Sequence, residues 1–549
     1  MITDLTDGCG GQTRTADICV IGAGTAGLAL VHELLNSTYS IVVLESGGME
    51  VEEQTQQLYD CKIAGLPHRG YLQGRFRTFG GTSTRWGGQL LPLTALDIEK
   101  REWIGANAWP VTYADLLTYY RRVEHLFGVD GHPYDSTELK RSPVAGTNFD
   151  TNRFTARYAK WPPFARRNLA RLVGKACVSS RHVEVILHAN VTDLVLNEAG
   201  THIVQIKART LEGRVLEVKA KHFVVATGTL ETIRLLMMSN GLVSGGIGNH
   251  SDQLGRNFQD HLSIRAADFS PRSIHDLEKQ FAPFFIDGTM RTARLEFSAH
   301  MQRTKQLLSC FGQILFETPE DSGFAELREG LRRFQARRNP WPGVRGWTNI
   351  MRDIPNMCRL GAVRFLKQRV AYPSNARFHL QVDVEQCPNA DSRVSLSEDR
   401  DILGMPILTL DWRIKDLEKR TLQEYVRTFR QEWERLKLGD ARWNEALFEE
   451  GDEWLEEAID VYHQTGGTAM SDHPSSGVVD PQLRVHGVDN LFLASCSVFP
   501  SAGSANPTFT LLALTLRLAD HLQGLLGTGS SLSRTDIPKD LKRIPHACV

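Results

Sequence analysis

Four short segments of this 549-residue chain carry residue types that could do chemistry. The first is Gly22-Ala23-Gly24-Thr25-Ala26-Gly27, a G-x-G-x-x-G turn. Its first glycine permits a tight turn, its second lets backbone approach a pyrophosphate, and its third lets a helix pack on a strand. Glu45 follows Gly27 by 18 residues, at the end of an apolar run. A carboxylate there suits a ribose diol and would repel a 2′-phosphate. The second segment, Phe79 to Gly88, sets four glycines around Thr82, Ser83, Thr84, Arg85 and Trp86, with Gly81 and Gly87 next to them. It is too polar and too rich in glycine for a helix or strand, so its backbone is expected against a ligand. The third is Tyr462-His463-Gln464-Thr465-Gly466-Gly467. A histidine there can accept a proton near neutral pH. The fourth is Asn506-Pro507-Thr508, just before an apolar helix. An asparagine amide can hold an oxygen without competing for its proton, and the helix start offers free N–H groups to an anion. Read alone, His463 serves equally well as a structural histidine, and Asn506 as a helix cap.

The elements that position these residues are legible in the spacing. Residues 17–21 and 41–45 read as strands around a helix at 28–36, a dinucleotide-binding unit. Residues 113–127 read as an amphipathic helix. From 183 to 226 several runs alternate with period two, and Ala226-Thr-Gly228 begins a second strand–glycine–helix junction. Residues 273–375 hold basic helical stretches, expected as solvated faces, with a surface that meets a membrane or partner as the alternative. Residues 378–412 return to strands, 415–437 to helix, and 526–534 read as a flexible tail. His473 is expected to be a loop residue.

Composition excludes several classes. Hydrophobic residues are 41%, charged residues 23% and net charge −1, so neither wholesale disorder nor a nucleic-acid-binding field is expected. Nine scattered cysteines form no C-x-x-C pair. That points to reduced thiols in a cytoplasmic protein, with no metal site. The N-terminal residues do not resemble a secretory signal, and no run is long and apolar enough for a membrane span.

Taken together, the chain resembles the glucose–methanol–choline (GMC) oxidoreductases, FAD-dependent alcohol-oxidising enzymes. The resemblance rests on the GAGTAG turn with Glu45, the GGTSTRWGG loop, WPVTYADLLTYYRRVEHLFGV at 109–129, VVATGTLETIRLLMMS at 224–239, LGRNFQDH at 254–261, EQCPNADSRVSLS at 385–397, and the segments around His463 and Asn506. It implies that Gly22, Gly24, Thr25, Ala26, Gly27 and Glu45 bind the adenosine diphosphate half of FAD, with backbone near Val191 at the adenine. It places Gly81, Thr82, Ser83, Thr84, Trp86, Gly87, Ala226, Pro507 and Thr508 along the rest of the cofactor. His463 is then the base, Asn506 its partner, and hydride passes to flavin N5. Where pyranose-oxidising relatives carry a histidine that binds FAD covalently, this chain has Arg85, so noncovalent FAD is expected.

The expected fold class is α/β. A Rossmann-like FAD-binding domain is assembled from 15–150, 180–265 and 458–525, and a substrate-binding domain, a sheet with helices, spans 266–457. Residues 526–549 form the tail. The His/Asn pair and the S-T-x-W loop lean toward a sugar or glycoside substrate, with oxygen or another acceptor taking the electrons. A primary alcohol or aminosugar, or a non-redox hydroxynitrile-lyase-type reaction, are the alternatives.

Overall fold

The computed structural model describes residues 1–8, 13–105, 107–136, 139 and 148–527. Strand Thr13–Ile21 stands at the centre of the first sheet. Its Ile18, Cys19, Val20 and Ile21 are all fully buried or nearly so, as expected for a strand covered on both faces. It pairs in parallel with Ile41–Leu44 on one side and Val215–Val225 on the other. Val183–Leu187 and then Ile2–Asp4 extend the sheet beyond Ile41–Leu44, also in parallel. The end of Val215–Val225 pairs in parallel with Leu491–Leu493, while its start carries the antiparallel strands Ile203–Arg209 and Asn190–Leu196. Helix Thr25–Leu34 leaves the first glycine turn and packs against Pro507–Gly527, which in turn packs on Tyr113–Phe127.

The second sheet is antiparallel throughout. Its order is Phe284–Ile286, Thr289–Phe297, Cys310–Glu317, Arg377–Val384, Leu262–Pro271 and Gly439–Trp443. Phe154–Trp161 runs along Thr289–Phe297, and Ile459–Asp460 pairs with Leu262–Pro271. Helix Asp416–Arg435 packs on this sheet through Tyr425, Phe429 and Trp433, with Trp433 stacked on Phe269 at 3.9 Å between centroids. A small third sheet joins Arg393–Arg400, Pro406–Asp411 and Cys61–Ile63.

The expected α/β class, with a Rossmann-type layer and a second sheet carrying helices, is what the chain folds into. One reading of local structure is extended and one changes. The basic helical stretches of 273–375 lie in Gly323–Gln335 and Ile354–Lys367 as expected, but the same span also holds helices Ile274–Phe281 and Ala299–Lys305 and contributes three strands, within 284–317, to the second sheet. The expected tail begins later: residues 526 and 527 end the last helix, and 528–549 lie outside the described residues. Among the described residues no helix is long and apolar enough to cross a membrane. All seven described cysteines are free, and burial pushes the thiols of Cys387 and Cys496 up to about 12.

Candidate active site

One cleft of about 660 Å³ brings together residues from the whole length of the chain. Gly22, Gly24, Thr25, Ala26, Glu45, Gly81, Thr82, Arg85, Trp86, Gly87, Val191, Ala226, His463, Asn506, Pro507 and Thr508 all line it.

The glycines divide by role. Gly22 has φ +103°, and a Cβ there would sit 2.6 Å from the Ala226 carbonyl oxygen. Gly24 has nothing within 4 Å of its Cβ direction, so it presents bare backbone to the cleft. Gly27 does not line the cleft. Its Cβ would lie 1.9 Å from the Gly22 carbonyl oxygen, so it holds helix to turn. Gly81, at φ +51°, approaches Gly24 so closely that a Cβ would fall 2.8 Å from the Gly24 Cα. The two glycine loops therefore touch. Ser83 and Thr84 also lie outside the lining. Ser83 Oγ donates to the Gly80 carbonyl at 2.5 Å and accepts from Leu169 N at 3.1 Å, and Thr84 Oγ1 donates to the Gly81 carbonyl at 2.8 Å. Their hydroxyls hold the loop's turn.

Glu45 is buried and accepts from Ala23 N at 2.9 Å and Gly47 N at 3.0 Å. Burial raises its carboxyl pKa against the pull of those donors. The Arg85 guanidinium lies 4.6 Å from the Phe76 ring centroid. His473 sits in an exposed loop whose carbonyl accepts from Ser471 and Ser476.

His463 follows strand Ile459–Asp460 and precedes two glycines that only glycine can fill. Gly466 has φ +74°, with a Cβ that would lie 2.0 Å from the Asn257 carbonyl oxygen, and Gly467 has φ +93°. Tyr462, just before the histidine, also holds a positive φ of 64°, local strain of the kind that collects at functional sites. His463 Nε2 lies 2.8 Å from Asn506 Nδ2, and its Nδ1 lies 3.0 Å from His261 Nδ1. Arg294 Nη2 donates to Asn506 Oδ1 at 2.6 Å. A guanidinium has no lone pair to accept with, so this bond fixes the amide with its nitrogen toward His463. The His463 Nε2 must then accept, and its proton resides on Nδ1, donated to His261.

The electrostatics agree with a neutral imidazole. Burial first, then His261 and Arg294, hold His463 well below the usual histidine range. Burial brings His261 to about 4, and Arg294 to about 10, so the arginine keeps its charge. Asp260 braces both histidines, its Oδ1 accepting from His463 N at 2.9 Å and His261 N at 2.8 Å. Its Oδ2 meets His68 Nε2 at 3.1 Å.

Sequence reasoning missed Arg294, His261, Asp260, His68 and Gln89. His261 and Asp260 lie in the quoted LGRNFQDH segment, which was the available signal. Arg294 has none, being one of many basic residues. Among the described residues, only His68, Asp260 and Asp460 bring three possible metal-ligating atoms together, within 4.8 Å. Their atoms are engaged in hydrogen bonds: Asp460 accepts from Arg69 N and Gly70 N, and Asp260 from the bonds above.

The N-terminal domain model of the GMC oxidoreductases matches residues 165–263, and the C-terminal model matches 388–515. The chain is a GMC oxidoreductase. The fructose dehydrogenase large subunit of Gluconobacter japonicus is 23% identical over 594 residues, covering 94% of this chain and 99% of its own. An oxygen-dependent choline dehydrogenase of Sinorhizobium fredii is 24% identical, covering 93% and 96%. The 6'''-hydroxyparomomycin C oxidase of Streptomyces lividus is 23% identical, covering 93% of each. Among solved structures, formate oxidase of Aspergillus oryzae superposes with a TM-score of 0.58 at 16% identity, covering 93% and 99%. As a GMC oxidoreductase the enzyme acts on CH–OH groups.

Proposed function

We propose that this GMC oxidoreductase binds FAD without a covalent link and oxidises a hydroxyl of a sugar or glycoside to a carbonyl. The carrying observation is the Asn506 amide, locked by Arg294, against a neutral His463 whose Nε2 lone pair faces the same cleft as the glycine turns.

The cleft fits the cofactor. The bare backbone at Gly24 suits the pyrophosphate, with helix Thr25–Leu34 starting behind it. Glu45 suits the adenosine ribose, and Asn190 and Val191 lie where backbone and a buried amide oxygen without a partner can meet the adenine. His463 is the only histidine among the described lining residues, which supports noncovalent binding. Bound FAD supplies the acceptor for the substrate's hydride.

The chain's own residues do the rest. Asn506 Nδ2 holds the substrate oxygen. His463 Nε2 takes the hydroxyl proton as the C–H bond breaks. His261 holds His463 in the tautomer that leaves Nε2 unprotonated. The first turn of helix Pro507–Gly527 offers N–H groups to negative charge in the cleft. Gln89 also lines the cleft and donates to Thr292 Oγ1 at 3.1 Å, a polar wall suited to a polyhydroxyl substrate. In this reading the FAD-binding part is 15–150, 180–265 and 458–525, and 266–457 the substrate part. The name of the paromomycin-oxidising relative favours an aminosugar hydroxyl as the second reading.

The test is an absorption spectrum of the purified protein, then anaerobic addition of sugars, glycosides, aminosugars and simple alcohols. Bleaching of a yellow protein by sugars or glycosides is expected, and admitting air then separates oxygen from another acceptor. A yellow protein bleached by none of them overturns the substrate class, in favour of an alcohol outside the panel or a non-redox lyase reaction. A protein that cannot be loaded with FAD overturns the cofactor.

A further inference from the structure

Helices Gly323–Gln335, Val344–Arg352 and Ile354–Lys367 form a unit between strands Cys310–Glu317 and Arg377–Val384. The middle helix is inside out. Its Asn349 faces the protein at 6% exposure, with Nδ2 donating to Glu326 Oε1 at 3.1 Å. Val344, Trp347 and Met351, spaced to share one face, stand in water at 88%, 47% and 64% exposure. A helix of a water-soluble protein does the reverse. The next helix has no buried residue and ends on Phe365 and Leu366, exposed at 78% and 84%. Trp341 stacks beside Trp347 at 6.3 Å between centroids.

Charge is as uneven as polarity. Residues 323–369 hold eleven Lys or Arg against three Asp or Glu, in a chain of net charge −1. The charges also sit among the apolar residues. Arg345 follows Val344, Arg352 follows Met351, and Lys367 follows Leu366. A protein interface concentrates its apolar residues and moves charge to the rim. Interleaved arginine, tryptophan and aliphatic side chains instead suit the headgroup layer, where rings lie at the boundary and cations meet phosphate.

We propose that this face docks on the surface of a bilayer bearing anionic phospholipid headgroups, lying on it and not crossing it. The unit is anchored to the cleft, because Gln335 Nε2 donates to the Trp86 carbonyl at 2.8 Å. Docking therefore brings one wall of the cleft toward the bilayer. The inference rests on surface residues and is independent of the substrate.

The experiment sediments the full-length protein with vesicles of phosphatidylcholine alone or mixed with phosphatidylglycerol. Binding to the mixed vesicles only, reversed by high salt, is expected. Phe365→Ser with Leu366→Ser lowers the partition coefficient at least ~tenfold. Arg345→Gln with Arg352→Gln lowers it on the order of tenfold at low salt. Both pairs lie on the surface, so unchanged melting temperatures show intact folding. Absence of binding, equal binding to neutral vesicles, or binding that survives both pairs overturns the proposal. So does a two-chain mass in solution that the Phe365/Leu366 pair reduces to one, which assigns the face to a second copy.

Discussion

In the proposed mechanism Arg294 acts through the Asn506 amide and through its charge, and a single substitution separates these from simple packing. Because burial, His261 and Arg294 all lower the His463 pKa, the base stays deprotonated at pH values where an ordinary histidine, near ~6.5, is half protonated. The rate of anaerobic substrate oxidation should therefore stay flat from neutral pH to below that value. Arg294→Met removes a neighbouring cation, which stabilises the imidazolium, so the acid limb of the pH profile moves upward while the rate falls. Rapid-mixing measurements against pH check this, and an unmoved limb removes Arg294 from the site's electrostatics. His463→Ala should retain FAD but lose ~10²–10⁴ in reduction rate, the usual worth of a general base. Undiminished reduction by substrate would falsify its assignment. His463 and Asn506 were readable because glycine and proline mark the turns that carry them. Arg294 was not, because nothing in a sequence distinguishes a buried guanidinium from a solvated one.

At the scale of elements, Gly24 and Gly27 make a matched pair three residues apart. Gly27→Ala drives a methyl into the Gly22 carbonyl at 1.9 Å. It should cost several kcal/mol, at or beyond the ~1–3 kcal/mol of ordinary overpacking, and show as a lowered denaturation midpoint. Gly24→Ala meets nothing within 4 Å and has φ −82°. It should leave that midpoint unchanged and weaken FAD retention, measured by flavin-to-protein absorbance after gel filtration. Loss of stability at Gly24, or full loading, would contradict the division of roles. The strand–turn–helix–strand unit was legible because two continuous apolar runs flank a glycine turn and an apolar helix. Strands Phe154–Trp161 and Thr289–Phe297 were not, and the reason is visible in their side chains. Arg157 pairs with Glu296 at 3.0 Å, Lys160 with Glu124, and Arg291 with Asp130, all buried. Charges that read as solvent-facing positions point inward, and the period-two pattern disappears.

Across the whole molecule, Arg101 ties distant segments together. Both terminal nitrogens donate to Glu385 at 2.6 Å, and both side chains are fully buried. Glu385 also accepts from Ser309 N and Gly503 N at 3.0 Å each, so one carboxylate joins the second sheet to the loop before the last helix. Arg101→Met strands that charge, and should cost ~3–5 kcal/mol, read by urea denaturation. A change below about 1 kcal/mol would show that the pair is dispensable. Gly22 and His463, which face the same cleft, are 441 residues apart in the chain. At ~5–20 residues per second of synthesis, roughly 20–90 s separate their emergence from the ribosome. Until Leu491–Leu493 arrives, the edge of Val215–Val225 that it covers stays open. The nascent chain therefore waits, half-built and adhesive, through most of its translation. The cleft that needs both residues is complete only once that wait is over.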